Sequence, residues 1–301
     1  MNNINYQSVV KEAVKPKFKG KRKLRGKTVP RFPDSARREF ERLGRRYART
    51  LRTVLNKHMP AIKRACEEAR NDSRYDSVYD AFSELNTMQT ELEKLLAKFK
   101  LFELIHQIGD LVNEYGTREW KREVWQTLGI DIFTDIYSGE MYRQAVSKWT
   151  GENVLLIESV PKDSIAAMRD IIQNGFMEGM RPAQLEELLM EQCKMAENRA
   201  RFIARDQIAT LNGRIAKMQQ EDAGVTEYRW SSSRDERVRD CHRELNGKVF
   251  KWDDPPEMWY MTKRGRVYTG RRCHPGEDIN CRCCAIPIFD VGSVILPMKG
   301  K

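Results

Sequence analysis

The stretch KMQQEDAGVTEYRWSS, Lys217–Ser232, is where one kind of sequence gives way to another. Upstream of Ala223, apolar residues recur every three or four positions, the period of an amphipathic helix. Downstream, VTEYRWSS, GKVFKW, GRVYTG and CRCCAIPIF are short, rich in β-branched and aromatic residues, and broken by Gly, Pro and Asp. That texture marks strands and turns. The chain therefore reads as α+β: a mainly helical N-terminal and middle region with a long helical hairpin, then a small C-terminal β-rich module.

Toward the N-terminus, a helix from Ala196 to Asp222 precedes the change, and GMRPAQLEELLMEQ opens another with Pro182 near its first position. A helix from Ser164 closes at Asn174–Gly175. Before it, Pro161 ends a short apolar run, Val154–Ile157. Gly129 and Gly139 break the aromatic segment 117–150. The strongest periodic signal is Val78, Phe82, Leu85, Met88, Leu92, Leu95, Phe99, Phe102, Ile105, Ile108 and Val112. A stripe of about ten turns wants a partner helix. Phe40, Leu43, Tyr47, Leu51, Val54 and Leu55 supply one as an antiparallel neighbour, with Pro60 kinking or ending it. His106 lies beside the stripe in a packing role. The expected organisation is a basic flexible arm (1–33), a helical region (34–150), a third region (151–290) with a helical part (151–222) and a small α+β module (223–290), and a tail (291–301) forming a surface strand or an arm.

Charge is distributed unevenly. Residues 1–60 hold eighteen Lys and Arg against four acids, a charge of +14, so with +11 for the whole chain the remainder is −3. Within that end, KPKFKGKRKLRGK carries Lys15, Lys17, Lys19, Lys21, Arg22, Lys23, Arg25 and Lys27 with no acid. Such a run is self-repulsive and reads as an arm seeking a polyanion, either double-stranded DNA or an acidic protein surface. Arg38, Arg42, Arg45, Arg46, Arg49 and Arg52 extend the basic face along the first long helix. No run of about 18 apolar residues exists to span a membrane, and the N-terminus lacks the apolar core of a secretory signal. Synthesis in a reducing cytosol is expected, which makes clustered cysteines metal ligands or core residues more often than disulfides.

Five of the seven cysteines fall between Cys241 and Cys284. Cys66 and Cys193 stand alone and read as small buried hydrophobes. In RRCHPGEDINCRCC, Cys281 and Cys283 share one side of a strand, because side chains there repeat every two residues. His274 and His242, with Cys241 as an alternate, complete a Cys2His2 or Cys3His set of the kind zinc takes. No other cofactor is expected. The spacing is not that of a known finger, and the same residues also read as the packed seam of a small fold. A third reading takes His242, His274, Asn246 and Asn280, with Asp235 and Asp240, as a metal-dependent nuclease. Against it, Asn246–Gly247 and Asn280 have turn roles of their own.

Several ordered elements point further: RA-x-x-IARDQ from Arg199, AGV-x-x-Y-x-W from Ala223, D-x-RVR-x-x-H-x-x-L-x-G-x-x-F from Asp235, a Pro255–Pro256 pair, and HPG-x-x-x-NCRC from His274. Over roughly residues 150–290, and most densely over 199–288, the chain resembles the bacteriophage head-morphogenesis proteins similar to phage Mu protein F. The resemblance implies a minor head protein of a tailed phage, a structural rather than enzymatic component of the virion, assembled in the host bacterial cytoplasm. Its implied partners are the portal or major capsid protein and packaged DNA; no membrane is involved. Some relatives carry two cysteines three residues apart where this chain has Arg239 and His242, which removes one potential thiolate. Among the matching residues, Arg205, Asp206, Asp235 and Arg237 are expected to form ion pairs that lock helix to module, or a patch for a partner's carboxylate.

Overall fold

The computed structural model describes residues 6–71, 76–233 and 236–297. In chain order its elements are α1 (Tyr6–Phe18), β1 (Lys23–Arg25), α2 (Asp34–Asn71), α3 (Asp76–Leu96), α4 (Leu101–Leu128), a 3-10 turn (Asp135–Ser138), α5 (Glu140–Met177), α6 (Pro182–Asp222), β2 (Glu227–Ser231), α7 (Asp240–Leu245), β3 (Val249–Lys251), β4 (Glu257–Thr262), β5 (Gly265–Arg272) and β6 (Cys284–Asp290). Long helices carry the chain to Asp222 and antiparallel strands follow, so the architecture is α+β. Two compact units form. One takes the described residues through Ala36, Ile108–Trp149, and the described residues from Asp206 onward; the other takes Arg37–Gln107 and Thr150–Arg205.

In the second unit α2 and α3 run antiparallel: Tyr47 meets Phe99 edge-on with ring centroids 5.2 Å apart, while His58 binds Glu84 and Glu91. Two features depart from the sequence reading. The single long stripe breaks between Leu96 and Leu101, where tightened turns (Lys98 N–H to Leu95 O, 3.2 Å; Phe99 N–H to Leu96 O, 3.0 Å) reset the helical phase. After the break Leu101 is buried, and Phe102, part of the expected stripe, is 48% exposed. No Gly or Pro marks the site. Conversely, Pro60 and Pro161 end nothing, and α2 and α5 continue through both. An interior proline costs about 3 kcal/mol. Around Pro60 the side chains of Leu55, Met59, Ile62 and Cys66 are all buried, at about 1.5–3 kcal/mol for each large one, and packing outweighs the lost backbone bond.

The first unit holds a four-stranded antiparallel sheet in the order β1-β6-β2-β3, and a β4–β5 hairpin. Its registers pair Leu24 with Phe289, Tyr228 with Pro287 and Trp230 with Ala285. The edge strand β1 corrects the expected organisation. The basic segment over its described residues is no separate arm but one helix and one strand of this unit. Val10, Val14 and Phe18, spaced by four on α1, are buried with Trp120, Leu128 and Phe289. Repulsion between exposed lysines is about 1 kcal/mol at 4 Å in water and weaker with salt, so burial of three apolar side chains prevails. Beyond β1 the buried Glu123 of α4 accepts the backbone N–H of Lys27 and of Thr28, both at 2.9 Å. The tail is neither a surface strand nor a loose arm: Val294 and Leu296 are buried, and Ile295 N–H bonds to Ala223 O at 2.9 Å.

Candidate metal centre

The loop that precedes β6 is held by helix α6. On one face of that helix, Asp206 Oδ1 accepts the Asn280 N–H at 2.6 Å. Seven residues on, Gly213 lets the backbones touch: a Cβ there would lie 2.7 Å from Pro275 O, and one on Gly276 (φ +93°) would lie 2.9 Å from Ala209 O. Both positions need glycine to admit this approach. The loop is thereby fixed with Cys281 and Cys283 turned into the module's core, where Tyr228, Trp230, Trp252 and Trp259 surround them.

Opposite stands α7, a single short helix that delivers His242. Its Nδ1 is 3.7 Å from Cys281 Sγ and 3.6 Å from Cys283 Sγ, and the three donor atoms all lie within 4.8 Å of one another. All three residues are buried. Two backbone N–H groups, from Gly276 and Cys283, point at Cys281 Sγ at 3.4 Å each. The other ring nitrogen of His242 is 3.2 Å from Asp278 Oδ2. Asp278 is itself buried and receives Arg239 on Oδ2 at 3.0 Å and Arg271 on Oδ1 at 2.9 Å.

These contacts set the protonation of the group. Burial works against a charged His242, yet its hydrogen bonds with Asp278 and Cys281 prevail and raise it to about 9. Burial also opposes ionisation of Asp278, but the His242 bond and then the Arg239 charge hold it at about 2. The hydrogen bond between the two thiols, before all else, pushes Cys281 well up and Cys283 down. These contacts favour an imidazolium–carboxylate pair at His242 and Asp278, with Cys283 the more readily ionised of the two thiols.

Of the expected donors, His242, Cys281 and Cys283 converge and His274 does not. His274 sits in the same core with Nδ1 2.9 Å from the Tyr228 hydroxyl and its ring 4.8 Å from that of Trp252; burial lowers its basicity. Cys241 is buried beside Trp259 among the module's core residues, outside the convergent group. Sequence reasoning missed Asp278, because GEDIN reads as a turn and nothing in its spacing separates a buried carboxylate from a solvated one. Among the described residues the nuclease constellation does not assemble. Asn246 Oδ1 accepts the Ser232 N–H at 3.0 Å, Asn280 sits in the left-handed region at φ 51°, and Asp240 pairs with exposed Arg243 at 2.8 Å.

The remaining expected site residues fall elsewhere. Arg205 lies 3.7 Å from Glu41, whereas Asp206 reaches the module through the Asn280 amide. Arg237 is a partnered residue; Asp235 lies outside the described residues. Lys15, Lys17, Lys19, Lys21, Arg22, Lys23, Arg25 and Lys27 are all exposed on or beside α1 and β1. Among the described residues, Lys15 pairs with Glu12, Arg22 with Asp290 and Lys23 with Glu227. Among the described residues no helix is long and apolar enough to cross a membrane.

Residues 166–286, from within α5 to β6, match the family described as Phage Mu protein F like protein. The chain is 29% identical over 206 residues to an uncharacterized protein of Haemophilus influenzae, covering 66% of this chain and 43% of that one. It is 25% identical over 178 residues to the minor head protein GP7 of Bacillus phage SPP1, covering 54% of each. It is also 28% identical over 125 residues to an NAD(+)–arginine ADP-ribosyltransferase EFV of Enterococcus faecalis, covering 40% of this chain and 25% of that one. The chain thus spans about half or less of the length of these curated relatives. No solved structure matches it.

Proposed function

Since residues 166–286 belong to the phage Mu protein F-like family, we propose that the chain is a minor head protein of a tailed bacteriophage, a structural component that docks on the portal or inner shell and touches packaged DNA. The observation that carries this reading is the joint match to that family and to a minor head protein of phage SPP1. The match to the transferase spans only a quarter of that protein, and its activity stays with it.

The DNA contact rests on the exposed cations of the basic segment. Phosphate neutralisation by lysines is blind to sequence and sensitive to salt. Because α1 and β1 are built into a folded unit, the cations form a fixed surface, and neutralising them tests the contact without removing core residues. Filter binding to random duplex is expected to weaken steeply with salt. Replacing Lys15, Lys17, Lys19 and Lys21 by Gln should lower the log–log salt slope by up to about 3.6, at about 0.9 per lost phosphate contact. An unchanged slope removes DNA as the partner and leaves an acidic protein surface. Mass spectrometry and labelling of purified virions test the larger claim: absence of the chain from heads and their precursors would refute it.

A further inference from the structure

The geometry points to a zinc ion held by His242 Nδ1, Cys281 Sγ and Cys283 Sγ, and we propose that this ion staples α7 to the loop before β6. In this proposal the fourth corner of a tetrahedron goes to water; among the described residues no fourth Cys, His, Asp or Glu joins the convergent group. The proposal does not depend on the head-protein reading and would stand if that reading fell.

Four observations support it. Zinc binds sulfur at about 2.3 Å and imidazole nitrogen at about 2.0–2.1 Å, so a tetrahedral N···S edge is about 3.6 Å. The two edges here are 3.6 and 3.7 Å. Second, Cys281 Sγ receives two backbone N–H groups, more than a neutral thiol, a weak acceptor, requires; a metal-bound thiolate uses both. Third, the Nε2 side of His242 rests on a carboxylate, the arrangement that orients a ligating imidazole and raises its basicity. Fourth, the donors neutralise the ion, since two thiolates match one divalent cation, and the Asp278 carboxylate behind His242 is itself paired with Arg239 and Arg271. Thiolate with imidazole is a donor set that selects zinc over calcium or magnesium.

The ion would do mechanical work where regular structure is scarce. His242 and Cys281 are 39 residues apart in sequence, and between Arg272 and Cys284 the chain has no helix or strand. One ion closing that loop replaces packing that so small a module lacks room to supply.

The test uses the full chain, expressed with added zinc and purified without chelators. Elemental analysis should give one zinc per chain, and X-ray absorption should show two sulfurs with at least one imidazole nitrogen. Cys281→Ser, Cys283→Ser and His242→Ala should each weaken zinc binding at least tenfold, while His274→Gln should leave it intact. A variant that fails to fold would mimic loss of metal, so the wild-type chain is also stripped with a strong chelator. Its Tm should fall, recover with zinc but not magnesium, and Co(II) should give the thiolate charge-transfer absorption of a tetrahedral site. Three sulfurs around the ion, zinc loss in His274→Gln equal to that in Cys283→Ser, or a chain that takes up neither zinc nor cobalt would overturn the proposal.

Discussion

Gly213 shows how a single missing methyl group can be decisive. In an exposed helix interior, replacing Gly by Ala stabilises by about 1 kcal/mol. Here the added Cβ would meet the Pro275 carbonyl at 2.7 Å, a backbone atom that cannot rotate away. Overpacking of this kind costs about 1–3 kcal/mol, so Gly213→Ala is expected to be net destabilising in chemical denaturation, with a stabilised variant counting against the close contact. Glu123 presents the polar counterpart. It is buried, accepts the amides of Lys27 and Thr28, and receives the Thr127 hydroxyl at 2.6 Å. Truncation to Ala strands those donors, and about 2–3 kcal/mol should be lost, measured as a shift in denaturation midpoint. Neither role is written in local sequence: Asn-Gly inside a helix and one Glu among many look ordinary. The pair Cys281/Cys283 was legible because a two-residue period fixes their side, whereas His274 had the right chemistry and the wrong neighbours.

At the level of elements, local signals located most ends and misjudged two kinds of event. Gly129 and Gly139 stand where α4 and the 3-10 turn stop, and Pro182 starts α6. The break at 97–100 has no punctuating residue, and the two prolines inside α2 and α5 punctuate nothing; in each case tertiary packing overrides propensity. The α2–α3 pairing was legible from its stripes, and its polar clasp makes it responsive to acid. Hydrogen bonds from Lys57 and then His58 hold the half-buried Glu91 carboxyl below its usual range. A depressed carboxyl contributes stability above its unfolded value and loses it as pH falls through the folded one. Thermal melts of the wild type should therefore lose stability below about pH 4.5 in a step that Glu91→Gln lacks; identical pH profiles would exclude the clasp.

For the whole molecule, charge proved a sound guide to surface and a poor one to order. The cationic run is exposed as its composition implies, yet Val10, Val14, Phe18 and Leu24 thread it into a core that its net charge conceals. Deletion of residues 1–30 is accordingly expected to do more than remove cations. It takes away β1 and the α1 stripe, and circular dichroism and proteolysis should report loss of the first unit while the second unit keeps its helices. A truncation that melts like the parent would show the segment to be dispensable. The α+β class was legible from the change of texture at Ala223, but the discontinuous units were not, since no local pattern announces that residue 24 will pair with residue 289.

That pairing also imposes a schedule on biosynthesis. Strand β1 is made early, but its partner β6 follows some 260 residues later. At a synthesis rate of about 5–20 residues per second, the nascent basic segment waits on the order of tens of seconds with its hydrogen-bonding edge unmated. During that interval it is open to whatever polyanion or chaperone the cell provides, until the strand made some 260 residues later seals it.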